Sequence, residues 1–170
     1  MARHPLSNAA WGFDSNCFVC DPGNARGLRI PFFHDDEAGL VTAEFVLGAE
    51  HSGAPHYAHG GVLLAILDEA MAWASIALAE RFAVVQSTAT TFDRPVRIDE
   101  PHRVEASVSE RTDTAVTARA SVVDAGDRVC AEARARLVVM SSAVAGAAVG
   151  PVGGADIRYL RPLPDQETQP

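Results

Sequence analysis

The stretch HGGVLLAILDEAMAWASIALA, residues 59–79, decides the fold of this chain. It opens with a histidine and two glycines, and in the apolar run that follows only Asp68 and Glu69 are charged. No proline or further glycine interrupts the run, and its alanine, leucine, methionine and glutamate residues favour helix. The stretch therefore predicts one long α-helix over residues 61–80, with the glycines at its N-terminus.

The composition of this helix indicates that protein surrounds it. Apolar residues lie on all its sides, which is typical of a buried helix and not of an amphipathic surface helix. A membrane span needs a similar length, about twenty apolar residues. Two adjacent acids at mid-span would make insertion costly, so we expect the core helix of a soluble protein.

Strand patterns flank the helix on both sides, and apolar residues alternate with polar ones in most of them. The predicted strands are residues 28–33, 40–47, 84–92, 104–110, 115–123 and 129–140. The last two place mainly alanine and valine on one face, so a bulky helix can lie close to the sheet. We therefore predict an α+β fold in which one antiparallel sheet of about six strands wraps one long central helix.

The length and composition suit one domain. The chain has 170 residues, of which 48% are hydrophobic, and this is sufficient for a proper core. Residues 1–16 are mixed and are expected to be irregular. After residue 140 the pattern gives way to alanine, glycine, valine and proline. We predict a single domain over residues 1–140 and a C-terminal tail over residues 141–170.

Charge and cysteine content narrow the class of partner. The formal charge of −8 and the pI of about 5.1 argue against a nucleic-acid partner, which needs a basic face. The N-terminus MARHPLSNAA lacks the apolar core of a signal peptide. Three cysteines, an odd number, suit a reducing compartment. We expect a cytoplasmic protein that binds neither nucleic acid nor membrane.

Cys17 and Cys20 have the C-x-x-C spacing of metal knuckles and redox pairs. A structural zinc site needs four ligands, and Cys130 is the one remaining thiol, far along the chain. Completing such a site would require His34, His51 or His56. A redox role lacks its usual βαβ context. We therefore expect reduced structural cysteines, with no metal and no cofactor.

Three segments of the chain resemble the hotdog-fold thioesterases, in particular their PaaI-like branch. These are HGGVLLAILDEAMAWA, the N-terminal segment CFVCDPGNARGL, and TTFDRPV on the strand after the helix. The His-Gly-Gly start with an acid nine positions after the histidine carries most of the resemblance. It implies a thioesterase acting on an acyl-CoA or acyl-carrier thioester, assembled as a homodimer or a dimer of dimers.

The resemblance also implies roles at matching positions. The histidine of the HGG start is His59, the glycine whose N–H polarises the thioester carbonyl is Gly60, and the general base or nucleophile is Asp68. Family members commonly carry Asn or Gln shortly before this start to place water, whereas the loop HSGAPHYA has neither. The residues that could replace it are His51, Ser52, His56 and Tyr57.

Thioester hydrolysis needs a donor to the carbonyl oxygen and a base or nucleophile, and the resemblance is what favours Asp68 over Glu69 for the second task. Free N–H groups and the dipole at a helix start favour a developing oxyanion, and glycine there lets substrate approach the backbone. A carboxylate can activate water or attack the carbonyl carbon. Asp68 and Glu69 point about 100° apart on a helix, so only one of them should face a given cleft. Burial should raise the pKa of Asp68.

Further residues are candidates for binding the substrate. Some family members use a Ser or Thr on the strand after the helix, and the sequence does not choose among three such hydroxyls. Arginines after that strand, Arg94, Arg97 and Arg103, could meet CoA phosphates. The substrate-binding candidates are Gly61, Tyr57, His56, Ser87, Thr88, Thr90 and Arg94.

Two other functions stay open. One is a hotdog hydratase or dehydratase, in which the acid lies closer to the Gly-Val-Leu start, where this chain has Ile66. The other is a non-catalytic acyl-CoA-binding module. The sequence has no G-x-S-x-G nucleophile elbow and no phosphate-binding glycine loop.

The spacing of the two catalytic groups predicts a shared active site. Gly60 and Asp68 are eight residues apart, which along one helix is about 12 Å. Reacting atoms must come within about 3–3.5 Å of each other. We therefore predict that Gly60 of one chain meets Asp68 of a second chain.

Overall fold

The computed structural model describes residues 3–11 and 15–150 of the chain. Two short 3-10 helices, Asn8–Trp11 and Ala49–His51, accompany nine strands and two α-helices in this part. In chain order they are β1 (Arg3–Leu6), β2 (Phe32–Asp35), β3 (Leu40–Val46), β4 (Ser52–Ala54), β5 (Tyr57–Ala58), α1 (Gly60–Ala77), β6 (Ala83–Phe92), β7 (Pro101–Arg111), β8 (Ala115–Asp124), β9 (Val129–Val139) and α2 (Ser142–Val149).

Seven strands form one sheet in the order β1-β2-β3-β7-β8-β9-β6, and every neighbouring pair is antiparallel. Strands β4 and β5 form a separate small pair before α1. The α1 helix packs across β3, β6, β7, β8 and β9. The predicted antiparallel sheet with one long helix packed against it is therefore confirmed, with one strand more than the six expected.

The N-terminal region differs most from the prediction. Residues 3–6, expected to be irregular, form β1 and pair with β2. The strand predicted at 28–33 lies instead at Phe32–Asp35. The reason is a turn back onto the cysteine segment, because the N–H groups of Leu28 and Ile30 bond to the carbonyls of Phe18 and Val19 at 2.7 and 2.9 Å. Pro31 has no N–H for a ladder.

The α1 helix begins at Gly60 and ends at Ala77, three residues before the predicted end. Its end is set by a turn in which Glu80 takes a left-handed conformation, with φ at 54°. Its mean hydropathy of 1.4 would suit a membrane span by length and composition. However, 56% of the helix is buried inside the protein, which is the pattern of a core helix.

Small side chains let α1 lie close to the sheet. Ala118, Ala120, Ala131, Ala133 and Ala135 are all buried on the face that meets the helix. The predicted inward faces of the last two strands are thus confirmed. The side of α1 turned away from the sheet is only half covered, and it carries Gly61, Leu64, Ala65, Asp68 and Ala72.

The last strand of the sheet, β6, borders α1 along its length. Among the described strands it pairs with β9 alone, on one side. Beyond β9, the first part of the predicted tail forms α2, whose N-cap Ser141 side chain accepts the Val144 N–H. Residues 151–170 of that tail, with residues 1–2 and 12–14 of the N-terminal region, lie outside the described residues.

Candidate active site

His59 caps the N-terminus of α1. The Nδ1 atom of His59 accepts the Gly61 N–H at 2.9 Å, so the ring proton of a neutral His59 lies on Nε2. The His59 carbonyl accepts the N–H groups of Val62 and Leu63. A helix leaves its first N–H groups without intrahelical partners. With those of Gly61, Val62 and Leu63 engaged, the Gly60 N–H is the donor at this end of the helix that has no partner among the described residues.

Gly60 lines a cavity of about 250 Å³ that we call the start cavity. Its lining residues are Ala58, Gly60, Leu63, Phe92, Asp93, Arg94, Pro95 and Val96. A Cβ at Gly60 would lie 3.6 Å from the exposed Phe92 ring, so strand β6 ends directly at the helix start. Arg94 is held there because its guanidinium donates to the Val129 carbonyl at 2.6 Å. The structure thus brings two predicted residues, Gly60 and Arg94, together.

Asp68 lines a different cavity of about 300 Å³, the middle cavity. Its lining residues are Asn8, Cys17, Asp68, Glu69, Ala72, Trp73, Ile76, Phe82, Ala83, Val84, Val85 and Val149. Burial raises the pKa of Asp68, as the sequence predicted. The expectation that only one of the two adjacent acids faces a given cleft is wrong, since both line this cavity. Their side chains diverge, but the cavity is wide enough to meet both.

Glu69 lies beside Cys17 and Cys20, a cluster that the sequence did not predict. Its carboxylate and the sulfurs of Cys17 and Cys20 lie within 4.8 Å of one another. Burial, followed by the charge of Cys17, raises the pKa of Glu69 to about 7. The side-chain hydrogen bond between the two cysteines lowers the pKa of Cys17 and raises that of Cys20. The C-x-x-C spacing marked one half of this cluster, but nothing in the sequence linked it to Glu69.

The β6–β9 register separates the three hydroxyl candidates. Ser87 lies opposite Arg136, on the outer face of the sheet. Thr88 and Thr90 lie opposite Ala135 and Ala133 and so share the face that meets α1. The Thr90 hydroxyl is buried and has no hydrogen-bond partner among the described residues. The structure therefore favours Thr88 and Thr90 over Ser87 as residues that can reach a ligand beside the helix.

The loop candidates lie away from both cavities. His56 is exposed with φ at 72°, and Tyr57 packs under the Arg97 guanidinium, 5.7 Å from its ring centre. Neither lines the start or the middle cavity. His51 uses its Nδ1 to accept the Gly48 N–H. Arg103 is engaged with Glu105 and Asp127, which leaves Arg94 as the arginine placed beside the helix start.

A larger depression of about 500 Å³, which Thr90 also lines, shares no lining residue with the start cavity or the middle cavity. Side chains of both charge signs from the outer face of the sheet line it, among them Glu105, Arg119, Glu132 and Arg134. It contains neither Gly60 nor Asp68. The catalytic candidates therefore belong to the smaller cavities beside α1, and of the two described there Gly60 lines one and Asp68 the other.

The comparisons with known proteins agree with the fold. The sequence profile of the thioesterase superfamily matches residues 56–131, from the loop before α1 to the start of β9. No curated protein matches the chain in sequence. Among solved structures, the chain is similar to a thioesterase superfamily protein with a TM-score of 0.69 and 22% identity. That alignment covers 77% of this chain and 64% of the other, so the chain spans just under two thirds of that protein.

Two further solved structures are similar over about the same part of the chain. The Escherichia coli PaaI protein, from the phenylacetic acid degradation operon, has a TM-score of 0.57, 19% identity, and coverage of 61% of this chain and 74% of its own. A Streptococcus mutans protein bound to acetyl-CoA has a TM-score of 0.57, 16% identity, and coverage of 60% and 82%. The hotdog fold and the predicted resemblance to PaaI-like thioesterases are confirmed, while activity and substrate do not follow from identities this low.

Proposed function

We propose that this hotdog-fold protein is a thioesterase that hydrolyses an acyl-CoA thioester to the free acid and CoA. One observation carries the proposal: the helix whose first residue, Gly60, lines the start cavity also places a half-buried Asp68 in the middle cavity. The profile match to the thioesterase superfamily supports the reaction class. The similar fold that binds acetyl-CoA supports CoA as the thiol.

Each group has a defined task in the reaction. The Gly60 N–H donates to the thioester oxygen and stabilises the negative charge that forms on it. Asp68 takes a proton from water as the water oxygen bonds to the carbonyl carbon. The tetrahedral intermediate then expels the thiolate, which takes the proton from the Asp68 carboxyl. The products are one carboxylic acid and one thiol, and Asp68 returns to its ionised form.

The position of the two groups requires a second chain in this mechanism. They lie in separate cavities of one chain, eight residues apart on one rigid helix. The half-covered side of α1 and the unpaired side of β6 lie next to each other, which offers a surface on which a second copy can pack. In a two-fold symmetric dimer, each of two equal sites would combine Gly60 of one chain with Asp68 of the other.

A thiol-release assay over a panel of acyl-CoA substrates tests the function. We expect free CoA to appear in step with the free acid for at least one acyl class, with no change in enoyl absorbance. A hydratase would change enoyl absorbance without releasing thiol, and a binding module would do neither. Either of those results, obtained with folded and oligomeric protein, would contradict the proposed function.

A further inference from the structure

The group formed by Cys17, Cys20 and Glu69, here called the sulfur cluster, takes no part in the proposed hydrolysis. The two sulfurs and the carboxylate lie within 4.8 Å of one another. Around a tetrahedral zinc ion, such ligand atoms lie about 3.5–3.8 Å apart, because Zn–S and Zn–O distances are about 2.3 and 2.0–2.2 Å. Small side-chain rotations therefore suffice to bring the three atoms onto one ion.

Hydrogen bonds fix the positions of the Cys17 and Cys20 sulfurs. The Cys17 Sγ accepts the backbone N–H groups of Val19 and Cys20 at 3.3 and 3.4 Å. The Cys20 Sγ accepts from the Asn8 side chain at 3.8 Å, and that side chain also donates to Ser15. N–H donors around a sulfur stabilise it as a ligand and fix its direction. The turn is thus arranged for metal binding before any metal arrives.

The cluster holds three potential anions, and the described chain gives them no cationic partner. The ion pairs found among the described arginines lie elsewhere and none includes Glu69. The sequence contains no lysine. A half-buried set of anionic ligands without a compensating charge is costly. A divalent cation removes that cost, and thiolates favour zinc and related ions over magnesium or calcium.

We propose that Cys17, Cys20 and Glu69 bind one zinc-class divalent cation. Cys17 and Glu69 also line the middle cavity, so the fourth coordination position faces this cavity and is filled by water. The ion would tie the N-terminal segment to the middle of α1. The sequence-based expectation of no metal considered only cysteines and histidines as ligands, and the third ligand is a carboxylate from the helix.

Cobalt(II) titration of the full-length chain, reduced and freed of metal by a chelator, tests the site. Cobalt bound to thiolates gives an intense charge-transfer absorption in the near ultraviolet, which reads binding independently of any enzymatic activity. We expect saturation at about one ion per chain and displacement of cobalt by zinc. A reduced, folded protein that shows no such absorption would overturn the proposal.

Matched variants locate the ligands. Cys17→Ser and Cys20→Ser should each weaken cobalt binding by about a hundredfold or more, and Glu69→Gln by about tenfold or more while retaining thiolate absorption. Cys130→Ser changes the third cysteine, which is buried on β9, and should bind as the wild type does. Binding that survives in both Cys17→Ser and Cys20→Ser, or that is lost equally in Cys130→Ser, would contradict the assignment.

A measurement on the unaltered protein covers the case in which a cysteine variant does not fold. Zinc should raise the thermal midpoint of the metal-free wild type in a concentration-dependent manner, because it binds the folded state. Magnesium at the same concentration should not, since it prefers oxygen ligands. An equal shift with both ions, or no shift with zinc, would count against a thiolate site.

Discussion

The start cavity and the middle cavity lie beside the same helix but offer different chemistry. The start cavity has Gly60 at the first position of the helix, an arginine, one aspartate and an exposed aromatic ring. The middle cavity has two adjacent acids whose pKa values are raised by burial. The difference teaches that a long rigid helix separates Gly60, the proposed donor to the carbonyl oxygen, from Asp68, the proposed base. In the proposed mechanism each chain therefore supplies one half of each of two sites.

Replacing the acids of the two cavities one at a time is the sharpest test of whether the base comes from the middle cavity. Asp93 also lines the start cavity, and a chain that used Asp93 as its base would need no second copy. We expect Asp68→Asn to lower kcat by about a hundredfold or more, the usual scale for losing a positioned base. Asp93→Asn should stay within about threefold of wild type. Thiol release by both folded variants decides the matter, and the opposite order would assign the base to Asp93.

Mixing two inactive parents tests whether the halves meet across chains. Gly60→Pro removes the N–H, and the fold accepts it because Gly60 is the first helical residue and His59 before it is extended, with ψ at 132°. Asp68→Ala removes the base. Co-refolded in equal amounts, the pair should recover about a quarter of wild-type activity, since half of the dimers carry one intact site of two.

The control for this experiment is Gly60→Ala, which keeps the N–H. Its added Cβ would lie 3.6 Å from Phe92, an ordinary contact, so it should stay nearly as active as wild type. Mixtures without recovered activity, although heterodimers form, would show that the two groups do not act together.

Arg94 tests whether the start cavity binds the CoA part of the substrate. It is the arginine fixed at the start cavity, where it can meet a CoA phosphate. Arg94→Ala should raise KM for the acyl-CoA by about tenfold, the loss of one charge-assisted contact, and change kcat little. Arg119→Ala, on the outer face, should have no effect. An acyl-pantetheine substrate without phosphates should show no difference between Arg94→Ala and wild type, and a difference there would contradict a phosphate contact.

Thr90 lies on β6 between Val85, which lines the middle cavity, and Phe92, which lines the start cavity, and it carries the smallest expected effect. Its buried hydroxyl has no partner in the described chain, so Thr90→Val should leave the free energy of unfolding within about 1 kcal/mol. If the hydroxyl binds substrate, kcat/KM should fall a few-fold. Ser87→Ala, on the opposite face, should change neither quantity. Denaturant unfolding and steady-state kinetics measure both, and an equal kinetic loss in Ser87→Ala would contradict the assignment by face.

The elements with a strong period were predictable from the sequence. The apolar run gave α1, and clean alternation gave β7, β8 and β9 within a few residues of their observed ends. The N-terminal strands were not predictable in the same way. Four-residue strands carry too little alternation, and the bonds from Leu28 and Ile30 to the cysteine segment pull residues 28–30 out of the sheet.

The residues of the candidate site also differ in how far the sequence could predict them. Resemblance and helix chemistry named Gly60 and Asp68, and helix geometry alone separated them. The assignment of Thr88 and Thr90 to the inner face needed the β6–β9 register, because a bulge between Val85 and Ser87 shifts the alternation. The contact of Glu69 with Cys17 and Cys20 joins distant parts of the chain, and no spacing rule anticipates such a contact.

Strand β6 has a consequence for the fate of an unassembled chain. Its ten residues, AVVQSTATTF, contain no charge and no proline, and Val84 and Phe92 are exposed on it. Charged side chains and prolines are the features that ordinarily keep an edge strand from pairing with strands of other molecules, and β6 has neither. A solitary chain is therefore an aggregation hazard, and docking on a second copy would protect it. Variants that weaken such docking should precipitate instead of persisting as stable monomers.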